Sequence, residues 1–223
     1  MIIVDHVIGG APVDHHARDL PRDAQPHLWW FTSSQGAIVL GSAQSPEVVD
    51  RAACERYELD VVARRSGGGL VLVGLDREIW LDVLLPSAHP LWVADISRAS
   101  AWLGEAWRDA LRDLGVVGDI TVHEGPMGRN ELSSLVCFAG RAPGEVFIDR
   151  SKAVGISQRR TREWVRFQCA LSLRWEADVM AAAVADPSVT AERLAGLGTD
   201  LELDVSVVVD AVQWRITERL AAR

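Results

Sequence analysis

From residue 2 to residue 173 the apolar side chains come in short runs, cut every few positions by glycine, proline or clustered charge. Runs this short, rich in Val, Ile, Leu and Trp, suit strands. They cover residues 2–8, 28–32, 37–40, 59–63, 70–73, 78–85, 116–123, 135–138, 145–148, 152–157 and 164–173. Residues 33–36 read as a hairpin connection between the second and third runs. Helical spacing is rarer. Residues 46–57 begin Pro-Glu and carry apolar residues three and four apart. Residues 95–114 are amphipathic, with Gly115 placed to cap them. Beyond Trp175 the pattern changes, and 177–184, 190–197 and 205–220 are helical. Residues 9–26 mix Gly, Pro, His and Asp and read as a weak helix or a loop. His15 and His16 are adjacent, so they point to different faces of any helix and are expected at the surface. The fold class is α+β, a core sheet over about 1–175 and a helical segment over about 176–223. The expectation is one domain over 1–223, because a short helical tail seldom folds alone.

Charge and cysteine usage narrow the function. The formal net charge is −8, which argues against nonspecific nucleic-acid binding. No apolar run reaches the roughly 20 residues that span a membrane. The opening MIIVDHVIGG has neither the basic region nor the long apolar run of a secretory signal. Cys54, Cys137 and Cys169 are odd in number and widely spaced, which speaks against a disulfide framework and for a reducing cytoplasm. There is no CxxC or HxxxH, so no metal site is expected. Cys54 and Cys169 read as small buried side chains.

Two stretches carry chemistry. Of 23 basic residues only Lys152 is lysine. Arginine replaces lysine well as a surface charge and badly as a compact donor whose proton can move. Cys137 lies fifteen residues before it, inside Ser133–Arg160. A thiol is a poor nucleophile at neutral pH, and a nearby ammonium favours the thiolate. The second stretch is Arg64-Arg65-Ser66-Gly67-Gly68-Gly69, between two apolar runs. Three glycines carry a backbone entropy cost that needs a reason. The reason expected here is close approach to an anionic or carboxylate ligand, with the two arginines adding charge. It lacks the GK[ST] of a P-loop. Trp29, Trp30 and Trp80 are candidate walls for an apolar pocket, with core packing as the alternative for each.

Four separated pieces together resemble the lipoate and octanoate protein ligase and transferase family, which shares its catalytic fold with biotin protein ligases. The pieces are Gly41-Ser42-Ala43-Gln44 after a strand, the Arg64–Gly69 string, Lys152-Ala153-Val154-Gly155-Ile156-Ser157-Gln158-Arg159-Arg160, and the strand 164–173. Their order and rough spacing fit over about residues 28–175. Cys137-Phe138 looks like the Cys-Phe element of the cysteine-dependent octanoyl transferases. The string 155–160 is closer still in look to amidotransferases that move octanoyl or lipoyl groups between lipoyl-domain proteins.

The resemblance implies a mixed, mostly antiparallel sheet with helices packed on it. It implies transfer of an octanoyl or lipoyl group to the lysine of a lipoyl-domain protein, through a thioester on Cys137 assisted by Lys152. Gln44, Arg64, Arg65, Ser66, Gly67, Gly68, Gly69, Gly155 and Ser157 are the implied substrate-binding residues. The implied carriers are of the glycine-cleavage H protein or dehydrogenase E2 type, with acyl carrier protein as a possible donor, and no tightly bound cofactor is expected. One alternative is an ATP-dependent ligase, using ATP and magnesium, in which Cys137 is a bystander. Another is a non-catalytic binder of the acyl group. The chain departs from its relatives at Val73 and Gln168, where histidines are common. Gly128-Arg129-Asn130-Glu131-Leu132 echoes a ligase motif at a shifted position.

Overall fold

The computed structural model describes residues 1–7 and 9–222. In chain order the elements are β1 (Ile3–Val7), α1 (Pro12–Ala17), β2 (His27–Phe31), β3 (Gly36–Leu40), α2 (Arg51–Arg56), β4 (Leu59–Ala63), β5 (Val71–Val73) and β6 (Glu78–Pro86). Then come α3 (Ala101–Asp113), β7 (Ile120–Val122), β8 (Val146–Ile148), β9 (Ser151–Arg160), β10 (Trp164–Ser172), α4 (Ala177–Ala183), α5 (Ala191–Leu194) and α6 (Val205–Ala221). Seven strands form one sheet in the order β1-β2-β6-β10-β9-β8-β7. All its pairs are antiparallel except β1 with β2. A three-stranded sheet, β4-β3-β5, is separate from it. The α+β class and the mostly antiparallel sheet agree with the sequence reading.

The long strands sort their side chains by the two-residue period. On β6, Ile79, Leu81, Val83 and Leu85 join Leu103, Trp107 and Leu111 of α3 and Val208, Val212 and Ile216 of α6 in one core. Trp80 and Leu84 look the other way, onto Ala37, Val39 and Val73 of the small sheet. The outer side of the small sheet, Ile38, Leu40 and Leu72, is covered by Cys54 of α2, Met180 of α4 and Leu194 of α5. The layers run from α3 and α6, through the large sheet and the small sheet, to α2, α4 and α5.

Several sequence expectations are corrected. Residues 28–32 and 37–40 do not form a hairpin: β2 pairs with β1 and β6, and β3 pairs with β4 and β5 in the other sheet. Every residue of β2 and β3 is buried, so hydrophobicity along the chain does not separate one sheet from two. The expected helix 46–57 is broken. A single 3-10 turn at Pro46–Val48 stops, and Asp50 restarts the chain as the N-cap of α2, accepting from the Ala53 N–H at 2.9 Å. Residues 135–138 are not a strand but a turn leading into a 3-10 helix at Cys137–Ala139. The expected strand 116–123 shortens to β7. The first strand was read over 2–8, and its last residue lies outside the described residues. Gly115 does end α3, with φ +74°.

Candidate functional site

A cavity lies between the large sheet and the small one. It is lined by Val39, Val71 and Val73, by Trp80, by Gly155, Ile156 and Ser157 of β9, by Gln168 and Ala170 of β10, and by His16, Arg64, Cys137 and Phe138. Its empty space is about 450 Å³, open mouth included.

Cys137 reaches this cavity because the glycine string lets its turn come close. A side chain at Gly69 would stand 2.7–2.8 Å from the Val136 and Cys137 backbone. The Cys137 N–H donates to the Leu70 carbonyl at 2.9 Å, and the Leu70 N–H donates to Leu135 at 2.7 Å. At Gly69, then, the close approach expected for a ligand is made by the chain itself. Gly68 has φ +104°, and its carbonyl sits where a side chain at Gly41 would be, 1.8 Å away. Gly67 and Gly68 are exposed. Arg64 is buried and serves this loop. It donates to the carbonyls of Gly67 and Gly69, each at 2.8 Å, and of Val39 at 3.4 Å. Arg65 is exposed.

Gln44 does not line the cavity. Its amide donates to the carbonyls of Ser134 and Leu135, and its oxygen accepts from the Gly41 N–H. It ties the loop after β3 to the segment that carries Cys137. Asn130 acts from the other side, donating to the Ala139 carbonyl at 2.8 Å. The Gly128–Leu132 echo is thus a brace for the Cys137 turn.

Lys152 is buried, and its ammonium has two oxygen partners. Nζ lies 2.7 Å from Glu145 Oε2 and donates to the Cys137 carbonyl at 2.9 Å. The rings of Phe138 and Phe147 flank it, with Nζ 5.4 and 5.9 Å from their centroids. A β-bulge puts it there. Val146 pairs with Val154, yet Phe147 pairs with Lys152, so Ala153 is an extra residue on β9. Without it, Lys152 and Gly155 would face opposite sides. With it, a side chain at Gly155 would stand 3.8 Å from Lys152 Cδ and 3.4 Å from Phe138.

A second polar group lies across β10. Arg166 pairs with Asp82, both buried, and Arg166 also donates to the His15 carbonyl. Trp80 Nε1 donates to Asp82 at 2.9 Å. Gln168 accepts from Ser66 Oγ at 2.9 Å, and Ser66 meets Ser157 Oγ at 3.1 Å. His16 Nδ1 lies 3.3 Å from the Gln168 amide nitrogen.

His15 and His16 overturn the expectation of surface residues. Both are buried. Pro12, His15 and His16 make one buried face of α1, while Val13, Asp14 and Ala17 are exposed: the His15 ring lies tilted against Phe31 and the His16 ring against Trp80, with ring centroids 3.8 and 4.7 Å apart. Burial, followed by the charges of Arg166 and Arg64, pushes His16 down to about 3. Burial does most to lower His15, to about 4.

Sequence reasoning also missed Glu145. Its signal was an acidic residue inside an apolar strand run. Desolvation pushes its carboxyl up, opposed by the Lys152 charge. Of the tryptophans, Trp80 lines the cavity. Trp30 packs in the helix-side core, its N–H on Gln213 at 3.2 Å, and Trp29 lies under the Arg18 guanidinium. Cys54 and Cys169 are buried, as expected, and burial pushes both thiols up. Val73 and Gln168, the positions of the missing histidines, both line the cavity.

The model of the lipoyl protein ligase A/B catalytic domain matches residues 14–210. The chain belongs to this family. Among curated relatives, octanoyltransferase LipM of Exiguobacterium sp. is 30% identical over 142 residues, covering 62% of this chain and 51% of that protein. Octanoyltransferase LipM of Staphylococcus aureus is 23% identical over 63% of this chain and 51% of its own length. The chain spans about half the length of the curated relatives it matches.

Family folds in solved structures agree. A bi-partite lipoate protein ligase of Thermoplasma acidophilum, described with its E2 lipoyl domain, superposes with a TM-score of 0.74 at 16% identity, over 98% of this chain and 83% of that one. A lipoate-protein ligase A bound with ATP gives 0.72 at 19% identity, over 98% and 84%. At such identities the likeness concerns the fold. Among the described residues no group of three or more His, Cys, Asp or Glu is placed to hold a metal ion, and no helix is long and apolar enough to cross a membrane.

Proposed function

We propose that this chain is an acyltransferase of lipoate metabolism, moving an octanoyl or lipoyl group onto the lysine of a lipoyl-domain protein. One observation carries the reading. Cys137 lines the cavity, and the ammonium of the sole lysine is bonded to the carbonyl of that same residue.

In this reading the Cys137 thiolate attacks the carbonyl carbon of an acyl thioester. The donor sulfur leaves with its electron pair and takes a proton, and the acyl group stays on Cys137. The amine of the carrier lysine then attacks that carbonyl. The Cys137 sulfur departs, the amine loses a proton, and an amide is formed. Lys152 supplies a fixed positive charge next to the reacting turn, and Glu145 holds it there. The glycine string and Ser66, Gly155 and Ser157 shape the cavity around the acyl group. The carriers are lipoyl domains of the H-protein or E2 type, with acyl carrier protein as donor, and the whole stretch 1–223 works as one unit without a tightly bound cofactor. The LipM relatives and the ligase described with its E2 lipoyl domain support this reading.

The ATP-dependent ligase is the second reading. Burial and then the charges of Arg65 and Arg166 hold Arg159 below the usual guanidinium value. Such like charges favour an anion among them, as a nucleotide phosphate is. The test is intact-protein mass spectrometry after incubation with octanoyl-loaded acyl carrier protein in the absence of ATP. An octanoyl adduct that vanishes in Cys137→Ala is expected. Product formed only with ATP and magnesium, with pyrophosphate released, would instead establish the ligase. Acyl binding without turnover by either route would leave a binding protein.

A further inference from the structure

The imidazole of His16 is out of place in an apolar pocket unless something meets it. Its ring lines the cavity and is 94% buried, since its exposure is 6%. The Gln168 oxygen already accepts from Ser66 Oγ, so the amide turns its N–H₂ toward His16 Nδ1. Nδ1 is therefore an acceptor, and the proton of the neutral ring sits on Nε2. His16 Nε2 has no hydrogen-bond partner among the described residues. Burial and two neighbouring guanidinium groups keep the ring uncharged at neutral pH. A side chain that lines the cavity thus holds a buried N–H donor without a partner among the described residues, which is costly until a ligand supplies an acceptor.

Its position says which part of a ligand it meets. Trp80, Ala170 and Gly155 are cross-strand neighbours on β6, β10 and β9. The His16 ring lies tilted against Trp80, at the β6 end of that row. Phe138, next to Cys137, stands over Gly155 at the β9 end. Two strand spacings, about 9–10 Å, separate the ends. An acyl group joined to Cys137 therefore crosses Ala170, and its distal carbons, not its carbonyl, arrive at His16.

We propose that His16 donates a hydrogen bond to an acceptor on the distal part of the acyl group, so that the cavity favours a lipoyl chain over a plain octanoyl chain. This rests on the acyl-group reading of the cavity given above. The ring sulfurs of a lipoyl group accept the bond, and the Trp80 face gives them a favourable sulfur–aromatic contact. The methyl end of an octanoyl chain leaves the donor unpaired.

The experiment measures binding of free lipoate and free octanoate to the full chain by calorimetry, with no transfer involved. The wild type is expected to bind lipoate about tenfold tighter. His16→Phe fills the same space without a donor, and the preference is expected to fall to about one, chiefly by weaker lipoate binding. His16→Gln keeps a donor and retains part of the preference, and its circular dichroism checks the fold. Equal binding of the two acids by the wild type, no binding of either, or an unchanged ratio in His16→Phe would overturn the proposal. The Cys137→Ala chain separates this idea from the transfer mechanism. It is expected to keep the lipoate preference even though no acyl-enzyme forms, so failure of transfer with the preference intact would count against the mechanism alone.

Discussion

Along β10, Val165, Phe167, Cys169 and Leu171 look toward α3 and α6, whereas Arg166, Gln168 and Ala170 look toward the small sheet and the cavity. The same alternation on β6 puts Leu81 and Val83 on one side and Trp80 and Asp82 on the other. The helix side is a continuous apolar core. The small-sheet side carries two buried ion pairs, Lys152–Glu145 and Arg166–Asp82, two neutral histidines and a cavity. Buried ion pairs seldom stabilise a fold more than apolar residues of equal size, because both charges give up their water. The small-sheet face therefore spends stability that the helix face supplies, and the polar groups it holds are placed for a ligand.

That contrast is open to attack. The largest expected effect is on chemistry. Cys137→Ala should lower acyl transfer on the order of 10⁴-fold or more while leaving the thermal midpoint nearly unchanged. Steady-state transfer and a melting curve check both halves. Next is the buried pair. Lys152→Met leaves Glu145 without its partner and should cost about 3–5 kcal/mol in urea unfolding. Adding Glu145→Gln should recover most of that loss in stability but none of the activity. A double variant as unstable as the single one would mean the pair is not the coupled unit described here.

On the helix side the pattern should reverse. Leu103, fully buried, becomes Ala at a cost of about 2–5 kcal/mol, with transfer per folded molecule unchanged. A fall in specific activity at low temperature would break the division between the faces.

Acid should sharpen it more gently. The folded pKa of His16, about 3, lies below its ordinary value of 6.5. The unfolded chain therefore takes up the proton first as pH falls, and stability present above 6.5 drains away toward pH 3. Glu78 runs the opposite way, since burial raises it to about 7 and its protonation favours the fold as pH drops. The difference between proteins isolates the histidine. Between pH 7 and pH 4, His16→Gln should lose less stability than the wild type, as read from urea midpoints. The smallest effect is expected of Ser66→Ala, about 1 kcal/mol, which removes one hydroxyl from the Gln168 network.

How legible the site was depended on distance along the chain. Lys152 and Cys137 were readable because their residue types were unusual for their setting. Glu145 was not, because nothing in a short apolar run says that its one acid will find a buried ammonium. The Ala153 bulge was unreadable for a similar reason: an extra residue shows itself only when the partner strand is known. The surface expectation for His15 and His16 fails because adjacent residues lie only about 100° apart around a helix. Both therefore share one buried face with Pro12, against Phe31 of β2 and Trp80 of β6, while Val13, Asp14 and Ala17 stay exposed. The Arg64–Gly69 string stands out in the sequence, but the backbone that comes close to Gly69 is the chain's own.

By itself the sequence determined the strand-rich α+β class, the helix 95–114 with its glycine stop, the helical tail and the family, because these rest on local periodicity and on residue types that few settings tolerate. Tertiary structure alone decided that β2 and β3 go to different sheets, and that residues 135–138 turn instead of extending. It also decided that Cys137, Lys152, Gln168 and His16 share one neighbourhood. Those outcomes depend on which backbone N–H groups and side chains meet across long stretches of chain, and pairing of that kind leaves no period in the sequence.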